Sequence, residues 1–193
     1  MEQLLKIGFF CAVLTLVNQM IEPHGYTNED AGVFGAIFII AGVVGSYVSV
    51  KFIERYKNYR TLLKGFNWMV LLCSIWFLSM IYENNYWPLL LSYGTLGFFL
   101  CPLAPITMAN CSESTYPISE EVSIGWLFTG SNICGFGLIF VLQTLLVYTK
   151  PFNHNSGFIS PVNIFYLVMV ILQNLLLVPY NGQYKRLMNE EAT

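Results

Sequence analysis

Two amides set inside one apolar run, Asn132 and Gln143, are the side chains best placed to handle a solute. Asn132 lies about three residues from the middle of the uncharged stretch 122–148, roughly 5 Å from its midplane at helical rise. Gln143 follows eleven residues later, about three helical turns, and so falls near the same face. A primary amide offers donors and an acceptor without a charge, which orients a polar solute by hydrogen bonds. Such groups are costly inside an apolar helix unless they meet a cavity or a partner helix. They read either as part of a solute path or as bonds between helices.

No reaction centre assembles around them. The chain has no HExxH, no GxSxG and no phosphate-binding loop, and no acid in the middle of an apolar run to act as base or proton relay. An enzyme is therefore not expected. Five cysteines, at 11, 73, 101, 111 and 134, lack CxxC or zinc-type spacing, and four of them sit in apolar runs as small hydrophobes. Neither disulfide, metal nor cofactor is expected. Gln173 and Asn174 read as bonds between helices, and His24 and His154 as loop residues.

The elements that carry these amides are membrane helices. The chain is 193 residues long with 10% charged and 55% hydrophobic residues, and its mean hydropathy is +0.58. A soluble chain would hold about a quarter charged residues. Six apolar runs approach the roughly 20 residues a bilayer-spanning helix needs: 4–21, 31–50, 62–81, 87–110, 122–148 and 161–180. The expected fold class is all-α transmembrane, a single six-helix bundle over 1–193. A formal charge of −2 and no basic tract outside one loop give no sign of a nucleic-acid partner.

That loop orients the chain. Five of the nine basic residues, Lys51, Arg55, Lys57, Arg60 and Lys64, fall between the end of the second run and the start of the third, Lys64 just inside it. Lys and Arg are retained on the cytosolic side, which also places Lys6, the 111–121 turn, Lys185 and Arg186 inside and leaves only Lys150 across the bilayer. Both termini are then cytosolic. Small residues four apart in the second run (Gly32 and Ala36, Ala41 and Gly45, Gly42 and Ser46) suit close helix approach. In the fourth run Gly94, Gly97, Pro102 and Pro105 predict a kink, and Ser119 with Glu120 and Glu121 predicts a helix start.

The strings LVNQMIEPHGYTNEDAGVFGAIFIIAGVVGS, LGFFLCPLAP and STYPISEEVSIGWLFTGSNICGFG, in that order, resemble the C-terminal half of the feline leukaemia virus subgroup C receptor-related transporters, a branch of the major facilitator superfamily. The likeness runs over nearly the whole chain. It implies one bundle, helices seven to twelve, of a fold in which two six-helix bundles rock about a central site. The first run starts three residues after Met1, which suggests a chain that begins inside its helix. The partners implied are the lipid bilayer, a small-molecule substrate, and either a missing N-terminal six-helix half or a second copy of this chain. The plasma membrane is expected over an organelle.

The resemblance also implies roles. Gly45, Glu54, Arg55, Lys57 and Arg60 match the superfamily's conformational gating motif, with Glu where Asp is usual; the same residues read equally as a solvated loop that sets topology. The solute implied is choline, ethanolamine or a related amine, with haem proposed for some members. A quaternary amine calls for an aromatic cage. The family has a Tyr where this chain has Cys11, with Phe10 beside it, and a substrate-facing Gln where this chain has Asn132. The absence of buried acids suits uniport, with no coupling ion. A reading of another class also stands, in which the chain is a non-transporting membrane interaction or receptor-like protein.

Overall fold

The computed structural model describes residues 8, 26–56, 59–81, 85–115, 117–149 and 161–177, and every regular element among them is an α-helix. In chain order these are α1 (Asn28–Tyr56), α2 (Tyr59–Met80), α3 (Tyr86–Leu100), α4 (Leu103–Thr115), α5 (Glu120–Thr149) and α6 (Pro161–Leu177). Helices α1, α2, α5 and the α3–α4 pair are long and apolar enough to cross a membrane, and α6 adds a shorter apolar stretch, Asn163–Leu175. The protein is thus an integral, multi-pass, all-α membrane protein. Four spans and one shorter apolar helix are seen among the described residues, against six expected. The run at 4–21 lies outside them except for Gly8, which is helical.

Charge does not end these helices. The second and third runs were expected to stop at Val50 and resume at Leu62, but α1 continues to Tyr56 and α2 begins at Tyr59. Lys, Arg and Glu are good helix formers, so the basic cluster marks where the helices leave the apolar layer while the backbone stays helical beyond it. The expected 111–121 turn is shorter as well, since α4 runs to Thr115 and α5 starts at Glu120. Helix α5 extends 122–148 by a residue or two at each end, and α6 matches 161–180 as far as Leu177.

The predicted kink is a break. Pro102 and Pro105 carry no N–H, so the carbonyls of Phe98 and Cys101 lose their usual i+4 donors. Ala104 N–H turns to the Cys101 carbonyl at 3.3 Å in a tighter, 3₁₀-like step, and α4 resumes with Ile106 N–H donating to Pro102 O at 3.2 Å. Helix starts follow local chemistry. Thr27 N–H donates to Asp30 Oδ2 at 2.9 Å and Asp30 N–H to Thr27 Oγ1 at 3.2 Å, a reciprocal cap on α1. Ser119 precedes α5, whose first turn holds Glu120 and Glu121 at the positive end of the helix dipole.

Helix α3 lies between α1 and α2. The ring of Tyr93 is seated between Phe38 of α1, 4.8 Å away between centroids, and Phe77 of α2, 5.4 Å away. Glycines let α1 and α3 touch along their backbones. A Cβ at Gly45 would fall on the Phe98 carbonyl, the one Pro102 leaves without a donor, and one at Gly97 would fall on the Phe38 carbonyl. Gly42 meets the side chain of Cys101, just past the end of α3, whereas Gly32 has nothing within 4 Å, so only part of the expected small-residue pattern is a contact.

Helix α6 lies against α2 with two polar rungs. Ser74 and Tyr166 share a hydrogen bond at 3.0 Å, and Gln173 Nε2 donates to Asn67 Oδ1 at 3.2 Å. The rungs are seven residues apart on each helix, two turns, with buried Val70 and Val170 between them. The interhelical bond of Gln173 agrees with the sequence expectation, and Asn67, its partner, was not anticipated. Asn174 instead donates to its own helix at Val170 O, 3.0 Å. At the α1 entrance, burial pushes the Tyr26 phenol up, partly offset by a hydrogen bond with the Asn85 backbone.

Candidate functional site: the open face of α5

Helix α5 has two unlike sides. Ser123, Leu127, Ser131 and Gly135, four apart, are buried against the bundle. Ser131 Oγ donates to Leu127 O at 2.6 Å, which removes its polarity from the contact. Gly8 approaches here so closely that a Cβ on it would lie 2.7 Å from Ser131 O and 2.9 Å from Gly135 N. Gly8 therefore lies against α5 beside Ser131 and Gly135.

Asn132 and Gln143 both lie on the other side and are exposed. Asn132 Nδ2 donates to Phe128 O at 3.0 Å, which orients the amide along its own helix and leaves Oδ1 facing outward from that bond. Thr129 and Thr144 also bond to carbonyls four residues back, at 2.9 and 2.7 Å. One turn before and after Asn132 stand Phe128 and Phe136, with Phe140 beyond, and Phe136 is 74% exposed. Amide and ring thus alternate along a single face. Sequence reading missed these rings although the spacing 128, 132, 136, 140 was there to be seen.

Such a stripe can hold a solute with both an apolar or cationic part and a hydrogen-bonding part. Ring faces attract an ammonium group once water is excluded, and an amide orients a hydroxyl or amine. Phe10 and Cys11 lie outside the described residues, and Gly8, two positions before Phe10, meets the buried side of α5 at Ser131 and Gly135.

The gating group is partly placed. Gly45 is buried in the α1–α3 seam, well before the end of α1. Arg55 is exposed in the last turn of α1, where a cation suits the negative end of the helix dipole. Glu54 and Arg60 lie on α1 and α2, and Lys57 lies outside the described residues, as do the side chains of Glu54 and Arg60. Among the described residues, Gly45 and Arg55 lie ten positions apart on α1. The amide stripe and Arg55 are on different helices, α5 and α1.

No protein-family model matches the chain. Among curated proteins, it is 33% identical over 140 residues to the choline/ethanolamine transporter flvcr2b of Danio rerio, covering 72% of this chain and 28% of the relative. It is 32% identical over 155 residues to the choline/ethanolamine transporter FLVCR2 of Homo sapiens, covering 77% and 29%. Solute carrier family 49 member A3 of Xenopus tropicalis is 29% identical over 197 residues, covering 95% of this chain and 40% of that protein. The chain spans well under half the length of these relatives.

Proposed function

Since the chain belongs to the feline leukaemia virus subgroup C receptor-related transporter family of the major facilitator superfamily, we propose that it forms one six-helix bundle of a facilitator-type carrier for a small amine of the choline or ethanolamine kind. The bundle corresponds to the C-terminal half, spans 1–193, and works with an N-terminal six-helix half or a second copy of itself. Both termini face the cytosol and the site of action is the plasma membrane.

One observation carries the reading. The two amides of α5, Asn132 and Gln143, are not spent on its contact with the bundle but stand on its exposed side, Asn132 between Phe128 and Phe136. A helix that only faced lipid would place Leu or Val at these positions, because an amide in hydrocarbon is costly. In this reading Asn132 bonds the solute, Gln143 lines the outer part of its path, and Phe10 and Cys11 complete the pocket. Gly45, Glu54, Arg55, Lys57 and Arg60 stabilise one of the alternating states, Gly45 by keeping α1 on α3 while the charges act at the bilayer surface. The likeness to proteins named choline/ethanolamine transporters supports the solute class.

The test is uptake of labelled choline into proteoliposomes, by this chain alone and after co-expression with an N-terminal six-helix half. Saturable uptake, competed by ethanolamine and not by haem, is expected when a second bundle is present. Haem competing in place of ethanolamine would change the solute. No uptake under either condition would contradict the carrier reading and favour a non-transporting interaction protein.

A further inference from the structure

Where α1 and α2 approach the basic end of the molecule, a groove of about 540 Å³ opens among Phe52, Ile53, Thr61, Phe66, Met69 and Phe99. Its floor is Gly65, at which an added Cβ would meet nothing within 4 Å. The volume falls within the roughly 300–1,000 Å³ of ligand sites. From Thr61 to Met69 the helix rises about 12 Å, close to half of a bilayer core about 30 Å thick. The groove is thus about one leaflet deep, apolar along its length, with the Thr61 hydroxyl at its rim.

Charge distinguishes this groove from its neighbour. Lys51 and Arg55 of α1, both exposed, and Lys64 of α2 lie within a few residues of its rim. Lys51 Nζ is 4.7 Å from the ring centroid of Tyr47, one turn back on α1. A second groove of about 600 Å³, between α1 and α3, is lined by Ile37, Ala41, Trp87 and Gly94 with no basic residue beside it in the sequence. Basic clusters at a membrane surface attract anionic lipid headgroups, at about 1 kcal/mol for each Lys or Arg.

We propose that the α1–α2 groove is a binding site for one anionic phospholipid, an acyl chain lying over Gly65 and the phosphate held by Lys51 and Arg55. The inference requires only that the helices span a bilayer, and it stands apart from which solute is carried.

Native mass spectrometry of the full chain, purified in mild detergent and mixed with phosphatidylglycerol and phosphatidylcholine, reads the site directly. One phosphatidylglycerol is expected to be retained in preference to phosphatidylcholine. Lys51→Gln and Arg55→Gln each lower that preference about fivefold. Gly65→Phe fills the groove and abolishes the adduct without lowering the melting temperature; Gly65→Leu is the smaller step should the ring disturb folding. Equal retention of the two lipids, or a Gly65 variant that folds and keeps the adduct, would overturn the proposal. Because the measurement needs neither transport nor orientation, failure of the carrier reading would leave its outcome unchanged.

Discussion

The α3–α4 pair and α5 are similar in length and apolar character, yet 56% of the apolar window of the first is buried and only 17% of that of the second. Helix α3 is enclosed by α1 and α2 and reaches them through Gly97, Tyr93 and Leu96. Helix α5 is held along one side, through Ser123, Leu127, Ser131 and Gly135, and presents its amides and rings on the other. In a membrane the hydrophobic effect does not decide which face turns inward, because lipid is as apolar as leucine. Backbone approach through glycine decides it for α3. For α5, in the function proposed above, the faces are divided between packing and solute chemistry.

The largest effect expected is at the α1–α3 seam. Gly45→Leu drives a side chain into the backbone at Phe98 and is expected to cost about 3 kcal/mol or to prevent folding. Gly137→Leu on the exposed side of α5, where nothing lies within 4 Å, leaves the melting temperature unchanged. Thermal unfolding in detergent compares the pair, and equal losses would erase the distinction between the two regions. An intermediate effect belongs to the α2–α6 rungs. Asn67→Leu leaves the buried Gln173 without its partner and is expected to cost about 1 kcal/mol. Adding Gln173→Met restores most of it, and additive losses in the double variant would show that the bond does not couple the helices. The smallest structural effect is on the α5 stripe, where Phe136→Ala changes stability by less than about 0.5 kcal/mol.

Much of this was legible in the sequence because membrane helices declare themselves by composition. The apolar runs, the break at Pro102 and the interhelical role of Gln173 followed from hydropathy, a missing N–H and a buried amide. The seam did not. Gly32, Gly42 and Gly45 look alike as small residues at helical spacing, and only the placement of α3 decides that the last two touch it and Gly32 does not. Asn67 was missed because its partner is 106 positions away. Helix ends were misjudged at Val50 and Leu62 because charge signals the edge of the bilayer, while Lys, Arg and Glu continue a helix readily. At the candidate site Asn132 and Gln143 were found as polar exceptions in an apolar run. Their aromatic neighbours escaped notice because phenylalanine is ordinary there.

The central claim is that the exposed stripe of α5 serves a solute and not the packing of the bundle. It is tested most directly by Asn132→Ala, read as choline uptake and melting temperature on the same preparation, with the second bundle present. The account predicts uptake lowered about tenfold or more, as for a lost hydrogen bond of roughly 1.4 kcal/mol or greater, with the melting temperature unchanged. Full uptake with a lowered melting temperature would contradict it, making Asn132 a structural residue.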